Sequence, residues 1–181
     1  MLGRLHAGDY ELVRRITLVA RVFHAGGSTD GKGYIAVNEA AVVRGSHAQV
    51  MRVIVDVGDS RVATYICDGV VIASPTGSTG YSFSAGGPII EPTSHSLVVT
   101  PIAAYLTPLR SSVVGPQHPV TATVQAAYDC LVSIDGRVDV PLQVGDRVEV
   151  RARQVPISFI QPRGALPFWD LLRQKAELLP D

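Results

Sequence analysis

Asn38 and Glu39 interrupt an apolar run that extends from Ile35 to Val43. Polar groups set among apolar ones need partners, so a carboxylate there implies either a satisfied network or a ligand. Further along, Asp68-Gly69 opens the stretch DGVVIASPTGSTGYSFSAGGPIIEP, from Asp68 to Pro92. Val70 to Ala73 reads as a short buried strand, and Pro75 ends it because proline has no N–H for a ladder. Thr76, Gly77, Ser78, Thr79, Gly80, Tyr81, Ser82, Ser84, Gly86 and Gly87 follow. Glycine lets backbone N–H groups approach a ligand closely, and hydroxyls both donate and accept. Carboxylates accept from sugar hydroxyls or amides, and tyrosine offers a stacking face. The segment suits a polar, multi-hydroxyl ligand such as a nucleotide ribose. A tight loop that merely needs small residues has the same composition.

Other patterns fall short of a motif. Gly26-x-x-x-x-Gly31-Lys32 nearly spells a phosphate-binding loop, but Gly33 stands where Ser or Thr would be needed and a strand follows instead of a helix. A flexible hairpin loop is the better reading. Gly80-Tyr81-Ser82-Phe83-Ser84 approaches a serine-hydrolase nucleophile elbow without its last glycine, so a hydrolase using Ser82 is the remote alternative. His6, His24, His47, His95 and His118 are scattered and have no metal-ligand spacing. Glu11, Asp56, Asp59, Asp139, Asp146 and Glu149 read as solvent-facing charges near strands.

Composition narrows the class. Hydrophobic residues make up 46% and charged residues 18%, which indicates a globular chain. Sixteen basic residues balance sixteen acidic ones, so no broad field attracts nucleic acid or an anionic membrane. No apolar run approaches the roughly 20 residues that span a bilayer, and the first residues lack a signal-peptide core. Cys67 and Cys130 are too few for a disulfide framework and read as buried thiols in a reducing cytosol.

The elements that must position these residues are mostly strands. Tyr10 to Phe23 reads as one long strand or two, and Ala25 to Gly33 as a loop. Tyr34 to Val43 reads as a strand with Asn38-Glu39 in its inner part. Val50–Val57 and Arg61–Cys67 form an expected hairpin around Gly58-Asp59-Ser60. Ser96 to Thr100 is a short strand, and prolines make Ile102 to His118 irregular with short extended pieces. Val120 to Ala127 alternates. Leu131–Ile134, Val138–Leu142 and Arg147–Arg151 are joined by Asp135-Gly136 and Gly145-Asp146, both read as hairpin turns. Val155 to Ile160 adds a last strand. Leu166, Trp169, Leu172, Leu178 and Leu179 then mark an amphipathic helix, with Pro167 near its first turn. The expected fold is mostly β: a β-sandwich-like domain of about ten or more short strands over residues 1–165, with a helical tail over 166–181.

At Asp68-Gly69, Ser74 to Ser82 and Ser84 to Pro88 the sequence closely resembles the signature of NAD kinases. Asn38-Glu39 resembles the Asn-Glu pair of that family, and Thr100-Pro101-Ile102 with Arg110 resembles its next block. The likeness covers roughly Tyr10 to Trp169 and is to the C-terminal, NAD-binding domain alone. The family's N-terminal domain, with its Gly-Gly-Asp-Gly motif and catalytic aspartate, has no counterpart in this sequence. The resemblance implies that the chain binds NAD or NADP. In the family the adenosine-ribose 2′-hydroxyl of NAD is phosphorylated by ATP or polyphosphate, with a divalent metal such as Mg²⁺. It also implies a cytoplasmic homo-oligomer, commonly a tetramer built from dimers, whose nucleotide pocket borders a neighbour.

Carried over by residue, Asn38 and Glu39 match the pair that hydrogen-bonds the nucleotide. Asp68 matches a carboxylate placed at a ribose or the nicotinamide amide. Thr79, Gly80, Tyr81 and Ser84 match the segment lining the adenine and nicotinamide pockets. Gly80 stands where the family usually has alanine, and Ser111-Ser112 where it usually has Pro-Leu. Arg137 stands where a neutral polar residue is common; it either reaches a phosphate or is simply exposed. The expectation is a chain without its own catalytic residue, inactive in isolation, that is either a piece of an NAD kinase or a free-standing, non-catalytic nucleotide-binding or regulatory module. The opening LGRLHAGDYELVRRITL resembles the connection into the sandwich and favours the first.

Overall fold

In strand β1 (Tyr10–Phe23), Leu18, Ala20 and Val22 share one side and are buried, as the period of two requires. The computed structural model describes residues 2–46 and 49–177, so His47, Leu178 and Leu179 lie outside the described residues. After a first turn of helix, α1 (Leu2–His6), and β1, the chain forms β2 (Tyr34–Ala36), β3 (Glu39–Arg44), β4 (Met51–Val57), β5 (Ser60–Cys67) and β6 (Gly69–Ala73). A short helix α2 (Tyr81–Ser84) precedes β7 (Leu97–Ile102), β8 (Ser112–Val114), β9 (Val120–Ala126), β10 (Cys130–Ile134), β11 (Val138–Leu142) and β12 (Arg147–Pro162). Helix α3 (Phe168–Glu177) comes last.

The strands make two antiparallel sheets, ordered β2-β1-β12-β9-β4-β5 and β11-β10-β3-β6-β7-β8. One core joins them: Leu18, Val53, Val124 and Val150 of the first sheet pack with Val42, Val70, Ile72 and Val132 of the second. Each such side chain, fully buried, is worth about 1.5–3 kcal/mol. The mostly β, sandwich-like expectation therefore holds. The outer face of the second sheet has its own cluster, Ala41, Val71, Ala73 and Val98, with Ile90 packed against it. Residues 74–92 thus lie across that face, directly over β6 and β7.

Four local expectations need correction. Tyr34 to Val43 is not one strand, because the chain leaves the first sheet after Ala36 and enters the second at Glu39. Asn38 consequently lies exposed at a bend rather than inside a strand. Arg147 to Pro162 is one strand, not two: Gln154 to Pro156 bulge opposite Ile16, and the bulge accommodates a proline that cannot join a ladder. Gly145-Asp146 makes no hairpin, since β11 and β12 belong to different sheets. Asp146 is only 2% exposed rather than solvent-facing. It accepts hydrogen bonds from the N–H groups of Gln143 (3.0 Å) and Ala25 (2.9 Å) and lies 3.0 Å from His24 Nδ1. The region after Ile102 is irregular with short extended pieces as expected, β8 being one of them.

Beyond the bulge, β1 and β12 continue as a two-stranded ribbon with bare apolar side chains, Leu12 (62% exposed), Phe159 and Ile160 among them. Leu166, just before α3, and Trp169 and Leu171 within it are exposed as well, while Phe168 and Leu172 are half-buried in a small cavity beside Thr79. Both cysteines are free and buried, and burial pushes the Cys67 thiol up to about 11. Among the described residues, no helix is long and apolar enough to cross a membrane.

Candidate functional site

The bend between β2 and β3 is held from both sides. Its N–H groups point at one carboxylate: Val37 N–H donates to Asp135 Oδ2 at 2.7 Å, and Asn38 and Glu39 N–H donate to Oδ1 at 2.8 and 3.0 Å. Its carbonyls face Ser74. The Ser74 hydroxyl donates to Val37 O at 2.6 Å, and Ser74 N–H donates to Asn38 O at 2.8 Å. Backbone groups that have left a ladder must be paired elsewhere, and here they are.

Ser74 also starts the next segment, since Gly77 N–H donates to its hydroxyl at 3.1 Å. Gly77 lies so close to the bend that a Cβ would run into the Asn38 carbonyl, which is why only glycine fits. Residues 77–79 form a 3₁₀ turn and Tyr81–Ser84 a helical turn, so the glycine-hydroxyl run is a compact coil rather than an extended loop. Ser82 is fully buried and its hydroxyl lies 2.9 Å from that of Thr100. This removes the hydrolase alternative, because a nucleophile must be reachable by its substrate.

Glu39 and Tyr81 meet across a cleft of about 330 Å³ that also borders Ala41, Leu131, Ser133 and Asp139. Among the described residues lining it there is no Lys, Arg or His. Glu39 Oε2 is buried and has no hydrogen-bond partner. Burial and then the Asp135 charge push the Glu39 carboxyl above its ordinary range. A small cleft of acceptors beside an exposed phenol ring fits the neutral hydroxyl and amino groups of a nucleoside, not a phosphate.

The structure brings Asn38, Glu39, Thr79, Gly80, Tyr81 and Ser84 to one end of the β3–β6 pair; all but Glu39 are exposed. A methyl group at Gly80 would stand 3.6 Å from Glu39 Oε2, so this glycine leaves the carboxylate less covered than alanine would. Asp68 is not brought to them. It precedes β6, whereas Ser74 follows it, and the five residues between span roughly 17 Å. There Asp68 pairs with Arg44 at 3.0 Å. A separate, larger cleft of about 660 Å³ is lined by Gly86, Ala103, Ala104 and Arg110 and touches neither residue of that pair. Arg137 is exposed at the β10–β11 turn. Asp135 escaped the sequence reading, in which it is only the first half of a turn pair. Among the described residues, no three His, Cys, Asp or Glu side chains are grouped to hold a metal ion.

Comparison with known proteins gives this geometry a setting. Residues 37–161 match the family described as ATP-NAD kinase C-terminal domain. The NAD kinase of Heliobacterium modesticaldum is 38% identical over 177 residues, covering 97% of this chain and 62% of that protein. The NAD kinase of Symbiobacterium thermophilum is 39% identical over 175 residues, covering 96% of this chain and 61% of the relative. The chain thus spans about three fifths of the length of these relatives. In fold it is similar to yeast NADH kinase complexed with NADH, with a TM-score of 0.86 at 19% identity over 99% of this chain and 54% of that one. An NAD kinase from Archaeoglobus fulgidus in complex with ATP gives a TM-score of 0.77 at 23% identity, over 98% of this chain and 65% of the other.

Proposed function

We propose, from the premise that this chain belongs to the NAD kinase family through its C-terminal domain, that it binds the NAD whose adenosine-ribose 2′-hydroxyl is phosphorylated to give NADP. The observation that carries this is the buried Glu39 Oε2, which has no hydrogen-bond partner and faces Tyr81 in a cleft with no Lys, Arg or His among its described lining residues. Glu39 accepts from a ribose hydroxyl or an exocyclic amine, Asn38 and the Thr79 and Ser84 hydroxyls bond its surroundings, and Tyr81 stacks. The cleft holds one nucleoside half. Asp68, at the far end of β6, serves the other half from a second copy of the chain, so the working form is a homo-oligomer. It acts in the cytoplasm. The bare ribbon of β1 and β12, together with α3, receives the remaining part of a full-length kinase.

Phosphoryl transfer also needs a group that positions the attacking hydroxyl and an ion that neutralises the donor phosphates. Among the described residues no three His, Cys, Asp or Glu side chains are grouped to hold a metal ion, so the part of these residues in the reaction is to hold the acceptor nucleotide. The donor, ATP or polyphosphate, is held elsewhere. The sequence contains no Gly-Gly-Asp-Gly segment, and the 181-residue chain should form no NADP in a coupled assay with ATP and metal. Formation of NADP above the no-enzyme control would show that the catalytic group is within these residues.

Calorimetric titration with NAD and NADP tests the binding. We expect weak binding that Glu39→Gln weakens roughly tenfold or more, the effect of losing a charge-assisted contact. No heat at about 1 mM ligand, a binding energy weaker than about −4 kcal/mol, would overturn the reading. Light scattering tests assembly: a mass fixed at 19.3 kDa across concentrations would reject the homo-oligomer.

A further inference from the structure

We propose that Asp135 is a positioning residue for the nucleotide cleft: its carboxylate holds the Val37–Glu39 backbone in the bend that delivers Asn38 and Glu39 to the ligand. This rests on the reading of the cleft as the nucleotide site.

Val37 and Asn38 lie between strands of different sheets, so no ladder fixes them. Three successive N–H groups instead converge on one side chain, and Asp135 N–H returns a bond to Glu39 O at 3.0 Å. Ser74 occupies the carbonyls of Val37 and Asn38, so the two residues grip opposite edges of one bend. Position 135 sets narrow terms. Its φ is +50°, a left-handed conformation that Gly, Asn and Asp adopt most readily. Of the three, only Asp brings a full negative charge with two oxygens to share among three donors.

The same charge acts on Glu39. The groups facing Glu39 are Tyr81 from α2 and Asp135 and Asp139 from the β10–β11 hairpin. No cation among the described lining residues offsets them. Asp135 therefore both places Glu39 and raises its hold on a proton, and the second effect is one that a purely structural cap would not have.

The test uses the 181-residue chain with Asp135→Asn and Asp135→Gly, both compatible with the left-handed backbone. Amide exchange by NMR, without nucleotide, reads the bend. NAD titration across pH reads the site. Asp135→Gly should speed exchange at Val37, Asn38 and Glu39 roughly 10- to 100-fold, leave the middle of β3 protected, and weaken NAD binding about tenfold. Asp135→Asn should fall between it and the parent. In both variants the pH midpoint that Glu39 imposes on binding should move down. Unchanged exchange at the three amides, or opened amides with parental NAD affinity and pH midpoint, overturns the proposal. Loss of protection throughout β3 in both variants also overturns it, because Asp135 would then be a scaffold residue. A parent chain that binds no NAD overturns the nucleotide reading instead, and the exchange data then decide the positioning of the bend on their own.

Discussion

Two turns follow one another along the chain, and each contains an aspartate. Asp135-Gly136 closes the β10–β11 hairpin within one sheet, while Gly145-Asp146 carries the chain from β11 to β12 in the other sheet. Both carboxylates reach back to a segment far away in sequence. Asp135 gathers three N–H groups of the bend at the cleft; Asp146 gathers Gln143, Ala25 and the His24 ring at the seam between the sheets. Asp146 is 2% exposed, and Asp135 is half-buried. One device thus serves two ends. Where the donors belong to a buried seam it mainly stabilises the fold, and where they belong to residues facing a cleft it mainly shapes a site.

The largest effect should come from Asp146. Asp146→Ala leaves buried donors unpaired and should cost roughly 3 kcal/mol, or about 6–12 °C in Tm for a chain of this size. Circular dichroism melts check it. Burial alone would raise the Asp146 carboxyl, but the His24 ring and the Gln143 and Ala25 N–H groups outweigh that and hold it below its ordinary value. A carboxyl held low in the folded state stabilises above its unfolded value, about 3.9, and that contribution is lost as pH falls through the folded value. Asp146→Asn should melt lower than the parent at neutral pH and lose less on acidification. If Asp146→Ala melts with the parent, the seam does not depend on this carboxylate and the contrast with Asp135 collapses.

A smaller loss should follow from closing the gap inside the site. A methyl group at Gly77 would sit 2.5 Å from the Asn38 carbonyl carbon, so Gly77→Ala must push the bend away from Ser74. Overpacking of this kind costs about 1–3 kcal/mol. NAD affinity should fall with it, since Asn38 and Glu39 move together. Gly80→Ala is the control: its methyl meets Gly77 O at 3.3 Å and Glu39 Oε2 at 3.6 Å, tight but tolerable, and Tm should barely change. Equal melting and equal binding of Gly77→Ala and the parent would show that the bend is not gripped from the Ser74 side.

What the sequence made legible follows from the range of the forces involved. Alternating apolar residues placed Val120–Ala126 and the β4–β5 hairpin to within a residue or two, because burial on one face is a local signal. The Asn38-Glu39 pair stood out because it breaks such a signal. The sheet change after Ala36 was not visible, since it depends on Asp135, far along the chain. Asp135-Gly136 and Gly145-Asp146 look alike as turn letters, and which of them folds back within a sheet is decided by partners that periodicity does not encode. Asp68 joined the other candidates on family likeness, but the length of β6 puts it at the opposite end.

The smallest predicted effect contrasts Glu39 with Asp146 directly. Burial, and after it the Asp135 charge, raise the Glu39 carboxyl in the folded chain. The folded state then holds that proton more tightly than the unfolded chain, whose ordinary Glu value is about 4.3. Stability should therefore fall as pH rises from that value through the folded one, and above it the charged carboxylate is a standing penalty. Glu39→Gln removes the charge while keeping size and an acceptor. Water around the half-exposed group screens the effect, so the gain at neutral pH should be on the order of a degree or two in Tm, disappearing below about pH 4. The same variant should bind NAD less well, whereas Asp146→Asn should lose stability and keep its affinity. Carboxylates near a binding site often trade stability for function in this way. Melting curves at neutral and acid pH for the two variants decide it: a Glu39→Gln chain that melts below the parent at neutral pH would mean that Glu39 is satisfied in the folded state, and its role at the cleft would have to be redrawn.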